Sequence, residues 1–396
     1  MNLKKEDRLL LDCLGVEDGA SPLDAGSRLT ASDLKGAIEQ ALRHYITPLL
    51  YQRLKRFDSS GVIPADTMQA LHENYNWNAA RNIRLFHHLS KALKTLNNAG
   101  IPFIVLKGAH LAEVVYRKAG ERVMEDVDLL FRKNDLALCM KILKEVGYYP
   151  YSSQLPLDIH WDIDLTVTPL SIDIKEIWDR AQPEIIAGVE TLVLSPEDLL
   201  LHLCVHLAFH HLFRFTGLRT FYDIKETIRH YQGQIEWEQV RHRARKWGAG
   251  NAIYLTLSFS RDLLHAQVPD SILSALEPED SLPEVKSWAF RQVFQKRYTE
   301  RPLSPYFWKL WKSGSAWEKI NPLLKLLFTP PEFLSQEYPT SYGPFRSCLY
   351  YLVRFKDHSF RYGRSTWRML TNEEKMIMLA ERENRDMAMR EWLSPS

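Results

Sequence analysis

Two aspartates, Asp126 and Asp128, stand one residue apart at the start of the apolar run DVDLLF. Alternate side chains of a strand point to the same face, so these carboxylates would lie side by side with Val127 on the opposite face. Neighbouring carboxylates raise each other's proton affinity unless a cation lies between them. Because Mg²⁺ prefers oxygen ligands and bound phosphates, the pair predicts a magnesium site that handles phosphate.

Lys107 and Gly108 end the apolar segment IPFIVL, which is typical of a buried strand. Lys107 could bind a phosphate or be an ordinary surface lysine at a strand end. Gly108 could permit a turn or close packing. Arg122 lies between these residues and the aspartate pair. It could support the carboxylates, contact a phosphate, or pair with a neighbouring glutamate on the surface.

A second acidic stretch, LDIHWDIDL at 157–165, alternates strictly between polar and apolar residues. This pattern predicts a strand, with Asp158, His160, Asp162 and Asp164 on one face. His160 could assist at an acceptor or hold a carboxylate by hydrogen bonding. An ordinary structural histidine remains an equal alternative.

Three histidines, His202, His206 and His210, recur at four-residue spacing and would form one stripe on a helix. The stripe could face a nucleotide pocket, led by His206, or it could belong to the core or the surface. A zinc site is a third alternative, although no remaining ligand set is recognisable for it.

The elements that must position these residues follow from the periodicity of the chain. Residues 1–99 show a helical pattern, whereas three strands and two helices follow one another from residue 100 to about 165. Ser195 followed by proline and two acids predicts the start of another helix. Helical periodicity then continues to about residue 265.

Composition limits the class of protein. A chain of 396 residues that is 45% apolar predicts a globular protein with two or three structural units. A net charge of +2 does not point to nucleic acid as an obligatory partner. Four scattered cysteines, the absence of a signal-like N-terminus and the absence of an 18-residue apolar run favour a cytoplasmic protein without a membrane span.

Several of these segments occur together in one known superfamily. They are Leu106-Lys107-Gly108, Arg122, DVDLL at 126–130, Gly147-Tyr148, LDIHW at 157–161, LSPEDLLLHLCVH from residue 194, Arg219 and Tyr222-Asp223-Ile224. In them the chain resembles the polymerase-beta-type nucleotidyltransferases, and more narrowly a bacterial, largely uncharacterised family built around that core. The resemblance covers roughly residues 40–230.

The resemblance implies an α+β fold, with a small mixed-sheet nucleotidyltransferase core flanked by N- and C-terminal helical regions. Four regions are expected along the chain. They are a helical region at 1–99, the core at 100–190, a helical region at 191–270 that completes the cleft, and a C-terminal helical or irregular region at 271–396 that is a candidate for acceptor specificity.

The resemblance also implies a reaction, the transfer of a nucleoside monophosphate from a nucleoside triphosphate to an acceptor. ATP is the expected donor, and the acceptor could be a small molecule, a saccharide or a modified peptide or protein. Asp126 and Asp128 match the carboxylates that hold Mg²⁺, or alternatively Mn²⁺. Asp158 is expected to be the third catalytic and metal-binding carboxylate, with Asp162 or Asp164 as the alternative.

Four residues are expected to contact the nucleotide, and one is expected to act at the acceptor or to support a carboxylate. The four are Lys107, Gly108, Arg122 and His206, and the fifth is His160. Asp223 also matches a family position, but we expect it to form a supporting salt bridge outside the metal site.

One departure from the superfamily pattern leaves a second function open. Many members carry Gly-Ser after the first strand, whereas this chain has Gly108-Ala109. The missing hydroxyl favours a catalytically silent nucleotide-binding protein with the same fold. A glycosyltransferase that uses an Asp-x-Asp pair is a further alternative, although it would need a nucleotide-binding α/β region before the pair, where residues 1–99 look helical.

Overall fold

The computed structural model describes residues 3–15, 30–57, 61, 63–148, 155–163, 170–214, 216–279, 283–294 and 385–393. The chain divides into two compact units, residues 1–295 with 390–396 and residues 296–389. The sheet and helices below belong to the first unit, and residues 385–389 of the second are helical. Asp164 and most of the expected C-terminal region lie outside the described residues.

A five-stranded mixed sheet forms the centre of the first unit, in the order β3-β2-β1-β5-β4. The central strand β1 runs antiparallel to β2 and parallel to β5, and β3 runs parallel to β2. The expected fold class is therefore confirmed. The strands are β1 (Phe103–Val105), β2 (Val127–Phe131), β3 (Leu157–His160), β4 (Gln182–Ile186) and β5 (Val189–Val193).

Helices surround this sheet. They are α1 (Lys5–Gly15), α2 (Ala31–Arg43), α3 (Thr47–Phe57), α4 (Ala65–Asn98), α5 (Lys107–His110), α6 (Leu136–Glu145), α7 (Ile174–Arg180), α8 (Pro196–Val205), α9 (Gly217–His230), α10 (Trp237–Lys246), α11 (Gly250–Leu264), α12 (Asp270–Leu276) and α13 (Pro283–Phe294). Single π-helical turns extend α5 over Leu111–Val115 and α8 over His206–His210. Within the described ranges, no helix combines the length and the apolarity needed to cross a bilayer.

Strand β2 is buried along its whole length because both of its faces are covered. Val127, Leu129 and Phe131 join the main apolar cluster, which also contains residues of α4 and α6. Alternation then places Asp128 on the opposite face of the strand. One face of β2 thus packs into the apolar cluster, and the opposite face presents the carboxylate of Asp128.

Strand β3 is shorter than the alternating sequence predicts. Its ladder with β2 ends at His160, and residues 161–163 form a bend in which Trp161 is 42% exposed. Among the described residues, β3 lies at the edge of the sheet and pairs with β2 alone. Asp162 therefore follows the strand and does not share the strand face with Asp158.

The start of α8 is confirmed where the sequence predicts it. Ser195 Oγ accepts a hydrogen bond from the Asp198 backbone nitrogen at 3.2 Å, and Pro196 occupies the first turn. Asp198 is fully buried and lies 2.8 Å from Arg180 and 3.0 Å from Arg243. This network fixes the helix whose far end carries the histidines.

Candidate functional site

A cleft of about 410 Å³ opens beside β1, β2 and β3. Helices α8 and α9 contribute the rest of its wall. All of the site residues expected from the sequence border this one cleft, namely Asp126, Asp128, Asp158, Lys107, Gly108, Arg122, His160 and His206.

Asp128 and Asp158 lie directly opposite each other on the parallel strands β2 and β3. Parallel neighbours in register direct opposed side chains to the same face, so the two carboxylates converge. Ligand atoms of Asp128, Asp158 and His160 all lie within 4.8 Å of one another. Asp126 precedes β2 and borders the cleft, but it is not a member of this group, and its role as a metal ligand stays a prediction.

Two cations hold the Asp128 carboxylate. Oδ1 lies 3.2 Å from Lys107 Nζ and 3.1 Å from His160 Nε2. Burial alone would raise the pKa of Asp128, but Lys107 and His160 outweigh it and hold the pKa well below its usual range. Asp128 is therefore ionised in the folded protein.

His160 is positively charged because it pairs with two carboxylates. Its Nε2 also lies 3.3 Å from Asp158 Oδ2. Burial alone would lower the pKa of His160, but the bonds to Asp128 and Asp158 raise it to about 9. The imidazole is thus charged at neutral pH in the metal-free protein.

The pKa of Asp126 shifts in the opposite direction to that of Asp128. Burial raises the pKa of Asp126, and repulsion by Asp128 adds to the increase. Neighbouring carboxylates were expected to raise each other's proton affinity unless a cation lies between them. The pKa of Asp126 follows this expectation, whereas Lys107 and His160 supply the cations beside Asp128. The two carboxylates of the site therefore differ: two cations at Oδ1 hold Asp128 ionised, whereas burial and repulsion disfavour the charge of Asp126.

Lys107 links the acidic group to the histidines. Its ammonium lies 3.2 Å from Asp128 Oδ1 and 3.3 Å from His206 Nε2. Its side chain is only 15% exposed, which excludes an ordinary surface lysine. The turn after β1 thus directs a cation into the cleft.

Four histidines, here called the histidine wall, line the side of the cleft formed by α8: His202, His206, His210 and His211. His206 stacks on His210 with ring centroids 4.6 Å apart, and its Nε2 lies 3.0 Å from His211 Nε2. Sequence reasoning missed His211, because α-helical spacing does not align it with His206. The π-helical turn does so through a hydrogen bond from the His211 backbone nitrogen to the His206 carbonyl.

The inner part of the histidine wall is uncharged. Burial, with Lys107 adding to its effect, lowers the pKa of His202 to about 3 and that of His211 to about 4. The same causes lower the pKa of His206 well below its usual range. Among the described residues, no three ligand atoms of the histidine wall converge as a metal group. The zinc alternative thus has no preformed site there.

Arg122 is anchored by Asp223. Its Nε and Nη2 each donate to one oxygen of Asp223 at 2.9 Å, in a bidentate pair that is almost fully buried. Tyr116 donates to the same carboxylate at 2.7 Å, and Arg122 Nη1 donates to the Gly108 carbonyl at 3.2 Å. Arg122 is therefore not paired with a neighbouring surface glutamate, and Asp223 forms a supporting salt bridge whose partner the sequence did not identify. Direct contact between Arg122 and a nucleotide stays a prediction.

A second arginine, Arg219, reaches the cleft from α9. Its guanidinium donates to the Val123 carbonyl at 3.3 Å, lies 3.4 Å from the Glu125 carboxylate and covers the ring of Tyr45. Sequence reasoning recorded Arg219 as part of the resemblance but gave it no role at the site. Its charge adds to that of Lys107 in a cleft suited to an anionic ligand.

The acidic group fits a divalent cation. Asp128 Oδ2 is buried and finds no hydrogen-bond partner among the described residues, which is costly for a carboxylate oxygen. Asp158 supplies further oxygen atoms on the same face of the sheet. Oxygen donors of this kind suit Mg²⁺ or Mn²⁺.

The chain belongs to the family described as uncharacterised nucleotidyltransferases, whose model matches residues 30–265. The match runs from α2 to the end of α11 and includes the sheet, the cleft and the histidine wall. No curated protein and no solved structure gives a significant match to the chain.

Replacement of Arg122 by methionine should strongly destabilise the protein. The change leaves Asp223 buried without its cation, which typically costs about 3–5 kcal/mol. Urea denaturation followed by circular dichroism measures the loss. Lys118→Met is the matched control, because Lys118 pairs with Glu121 at the surface, and it should cost less than about 1 kcal/mol. Equal losses in both variants would show that Asp223 does not depend on Arg122.

Acidification should destabilise the protein in part through His202. With a folded-state pKa of about 3, this residue binds its proton less readily in the folded chain than in the unfolded chain. Stability should therefore fall as the pH falls below about 6.5, with a slope of up to about 1.4 kcal/mol per pH unit from this one group. Urea denaturation between pH 7.5 and 5 of the wild type and His202→Gln tests this. An unchanged slope in the variant would contradict the expectation.

Proposed function

We propose that this protein is a Mg²⁺-dependent nucleotidyltransferase that transfers a nucleoside monophosphate from a nucleoside triphosphate, with ATP as the expected donor. The acceptor would be a small molecule, a saccharide or a modified peptide or protein. One observation carries the proposal: Asp128 and Asp158 oppose each other on parallel strands inside a cleft of the region that matches the family. Family membership also argues against the glycosyltransferase alternative.

Asp128 and Asp158 would hold the metal ion, and Asp126 would complete the acidic set. A bound Mg²⁺ would neutralise phosphate charge and favour attack by the acceptor. The poorly satisfied charge of Asp126 supports its part in the proposal, because a divalent ion would relieve both its burial and its repulsion by Asp128.

Lys107 would bind the triphosphate. In the protein alone its ammonium lies against Asp128 and His206. Neutralisation of Asp128 by a metal ion would weaken the hold of this carboxylate on Lys107. The ammonium could then pair with phosphate oxygens.

Gly108 would keep the phosphate position open. A Cβ at this residue would lie 3.4 Å from the Asp126 carbonyl and 3.9 Å from Asp128 Oδ2. A side chain here would therefore begin in contact with both aspartates. Arg122 supports this turn through the Gly108 carbonyl, whether or not it also contacts the nucleotide.

The helical region at 191–270 would complete the cleft with His206 and the rest of the histidine wall. Because its inner histidines are neutral, they offer hydrogen bonds and ring faces but no charge to the nucleotide. His160 would act near the acceptor or orient the carboxylates. The region at 271–396 is proposed to determine acceptor choice.

A catalytically silent nucleotide-binding protein is the second candidate. Ala109 is fully buried and has no hydroxyl group to offer a phosphate. Such a protein would gain thermal stability from nucleoside triphosphate and Mg²⁺ without releasing pyrophosphate. Incubation with each α-labelled nucleoside triphosphate and a lysate of the source organism distinguishes the two candidates by transfer of label, and identifies the acceptor.

Two aspartate variants should separate catalysis from stability. Asp126→Asn removes a poorly satisfied charge, so it should raise Tm by about 1–3 °C without metal while reducing label transfer at least about a hundredfold. Asp128→Asn should also abolish transfer but should lose about 3 kcal/mol of stability. This loss arises because the change leaves Lys107 and charged His160 without their shared anion.

The control for these variants is Glu190→Gln, which changes an exposed acid on β5. Its transfer rate and Tm should match those of the wild type. Substantial label transfer by Asp128→Asn would rule out the proposed metal site. Loss of transfer in all three variants would indicate a general effect of lowered negative charge.

Lys107→Met should weaken nucleotide binding. Loss of a charge-assisted contact to phosphate costs about 1.5–3 kcal/mol, or roughly a 10- to 150-fold increase in Kd. Calorimetric titration with a non-hydrolysable triphosphate and Mg²⁺ measures this increase, with Lys118→Met as the surface-lysine control. An unchanged Kd would show that Lys107 pairs with Asp128 but does not bind the triphosphate.

A further inference from the structure

We propose that His160 binds the metal ion directly through Nε2, so that first-row transition ions such as Mn²⁺ or Co²⁺ bind the cleft more tightly than the Mg²⁺ of the proposed function. This inference rests on the metal site of the proposed function. It gives His160 a different task from the acceptor or supporting role expected from the sequence. It also predicts which cation the site selects.

The spacing of the three ligand atoms supports direct binding. His160 Nε2 lies 3.1 Å from Asp128 Oδ1 and 3.3 Å from Asp158 Oδ2. Ligands on adjacent corners of an octahedron with metal bonds of about 2.1–2.2 Å lie roughly 3 Å apart. The nitrogen thus already lies at nearly the required spacing from each of the two oxygens, and all three ligand atoms lie within 4.8 Å of one another.

The strands explain why this spacing arises. Asp158 and His160 are two residues apart on β3 and so share a face, while Asp128 opposes Asp158 from β2. All three side chains start from paired strand positions, and the side chains of His160 and Asp128 are 16% and 2% exposed. An ion at this point would need little movement of the backbone.

The donor set determines the preference among cations. Two carboxylates alone suit Mg²⁺, whereas an imidazole nitrogen favours transition ions. Mg²⁺ also keeps several water molecules and rarely takes a nitrogen ligand in place of one. A group of two carboxylates and one imidazole should therefore strengthen the binding of Mn²⁺ or Co²⁺ more than that of Mg²⁺.

The opposing interpretation is that His160 serves only as a counter-ion. In the metal-free protein its protonated ring donates to both carboxylates and occupies the place that a cation would take. On this interpretation the ring withdraws when a metal ion arrives, and the ion binds oxygen atoms alone. The two interpretations differ in one measurable property, the presence of nitrogen in the coordination sphere.

Pulsed electron paramagnetic resonance of the full chain with Mn²⁺, without nucleotide, tests the proposal. Wild-type protein should show coupling of the bound ion to a histidine nitrogen, and labelling with ¹⁵N-histidine should change that coupling. His160→Gln should lose the coupling, although glutamine can still offer an oxygen ligand. His211→Gln, which removes a histidine of the nearby wall, should retain it.

Calorimetric titration of the same proteins provides the second measurement. His160→Gln should weaken the binding of Mn²⁺ and Co²⁺ by about 10- to 100-fold, while the affinity for Mg²⁺ should change little. Circular dichroism establishes that each variant is folded. Equal losses for all three ions would overturn the preference for transition ions.

The outcomes separate this inference from the proposed function. Mn²⁺ that binds without nitrogen coupling, in a protein that still transfers nucleotide, overturns the role of His160 and leaves the transferase intact. Nitrogen coupling that survives in His160→Gln but disappears in His211→Gln also overturns it, and places the ion at the histidine wall. Nitrogen coupling that depends on His160, in a protein that binds no nucleotide, supports the metal site and contradicts only the transferase.

Discussion

The buried carboxylate of Asp128 is the constraint on which the rest of the site depends. A carboxylate that is 1% exposed is tolerated only when cations and hydrogen bonds replace its water. Lys107 arrives from the turn after β1 and His160 from the end of β3, so the chain segments that carry them must meet beside β2. The order of the sheet satisfies this requirement, because β2 lies between β1 and β3.

A second buried ion pair connects the helical part of the cleft to the sheet. Asp223 of α9 holds Arg122, and Arg122 in turn holds the carbonyl of Gly108. The turn that presents Lys107 is thus fixed from two sides, by Asp128 in the sheet and by Asp223 on the helix. A displacement of α9 would therefore change the turn that presents Lys107.

The sequence predicted the parts of this arrangement that depend on neighbouring residues. Apolar alternation gave the face of β2 that carries Asp128, and Ser195 marked the start of α8. The sequence did not predict contacts between segments that lie far apart along the chain. The register that opposes Asp128 to Asp158 and the pairing of Arg122 with Asp223 across 101 positions are set by packing of the whole fold. Strands β4 and β5 were missed as well, since Ala187 and Gly188 form a two-residue turn with positive φ angles but lack the usual asparagine or aspartate signal.

Asp126 and Asp128 differ in their effect on stability: ion pairs stabilise the charge of Asp128, whereas the folded protein alone does not stabilise that of Asp126. Two cations hold Asp128 ionised, whereas the charge of Asp126 is disfavoured by burial and by its neighbour Asp128. A residue that lowers the stability of the protein by itself is expected at a site where it binds a ligand. For two acids beside a cleft with Lys107 and Arg219, the ligand that we propose is a divalent cation with its phosphates. The poorly satisfied carboxylate therefore supports metal-dependent phosphate chemistry at least as strongly as the well-paired one does.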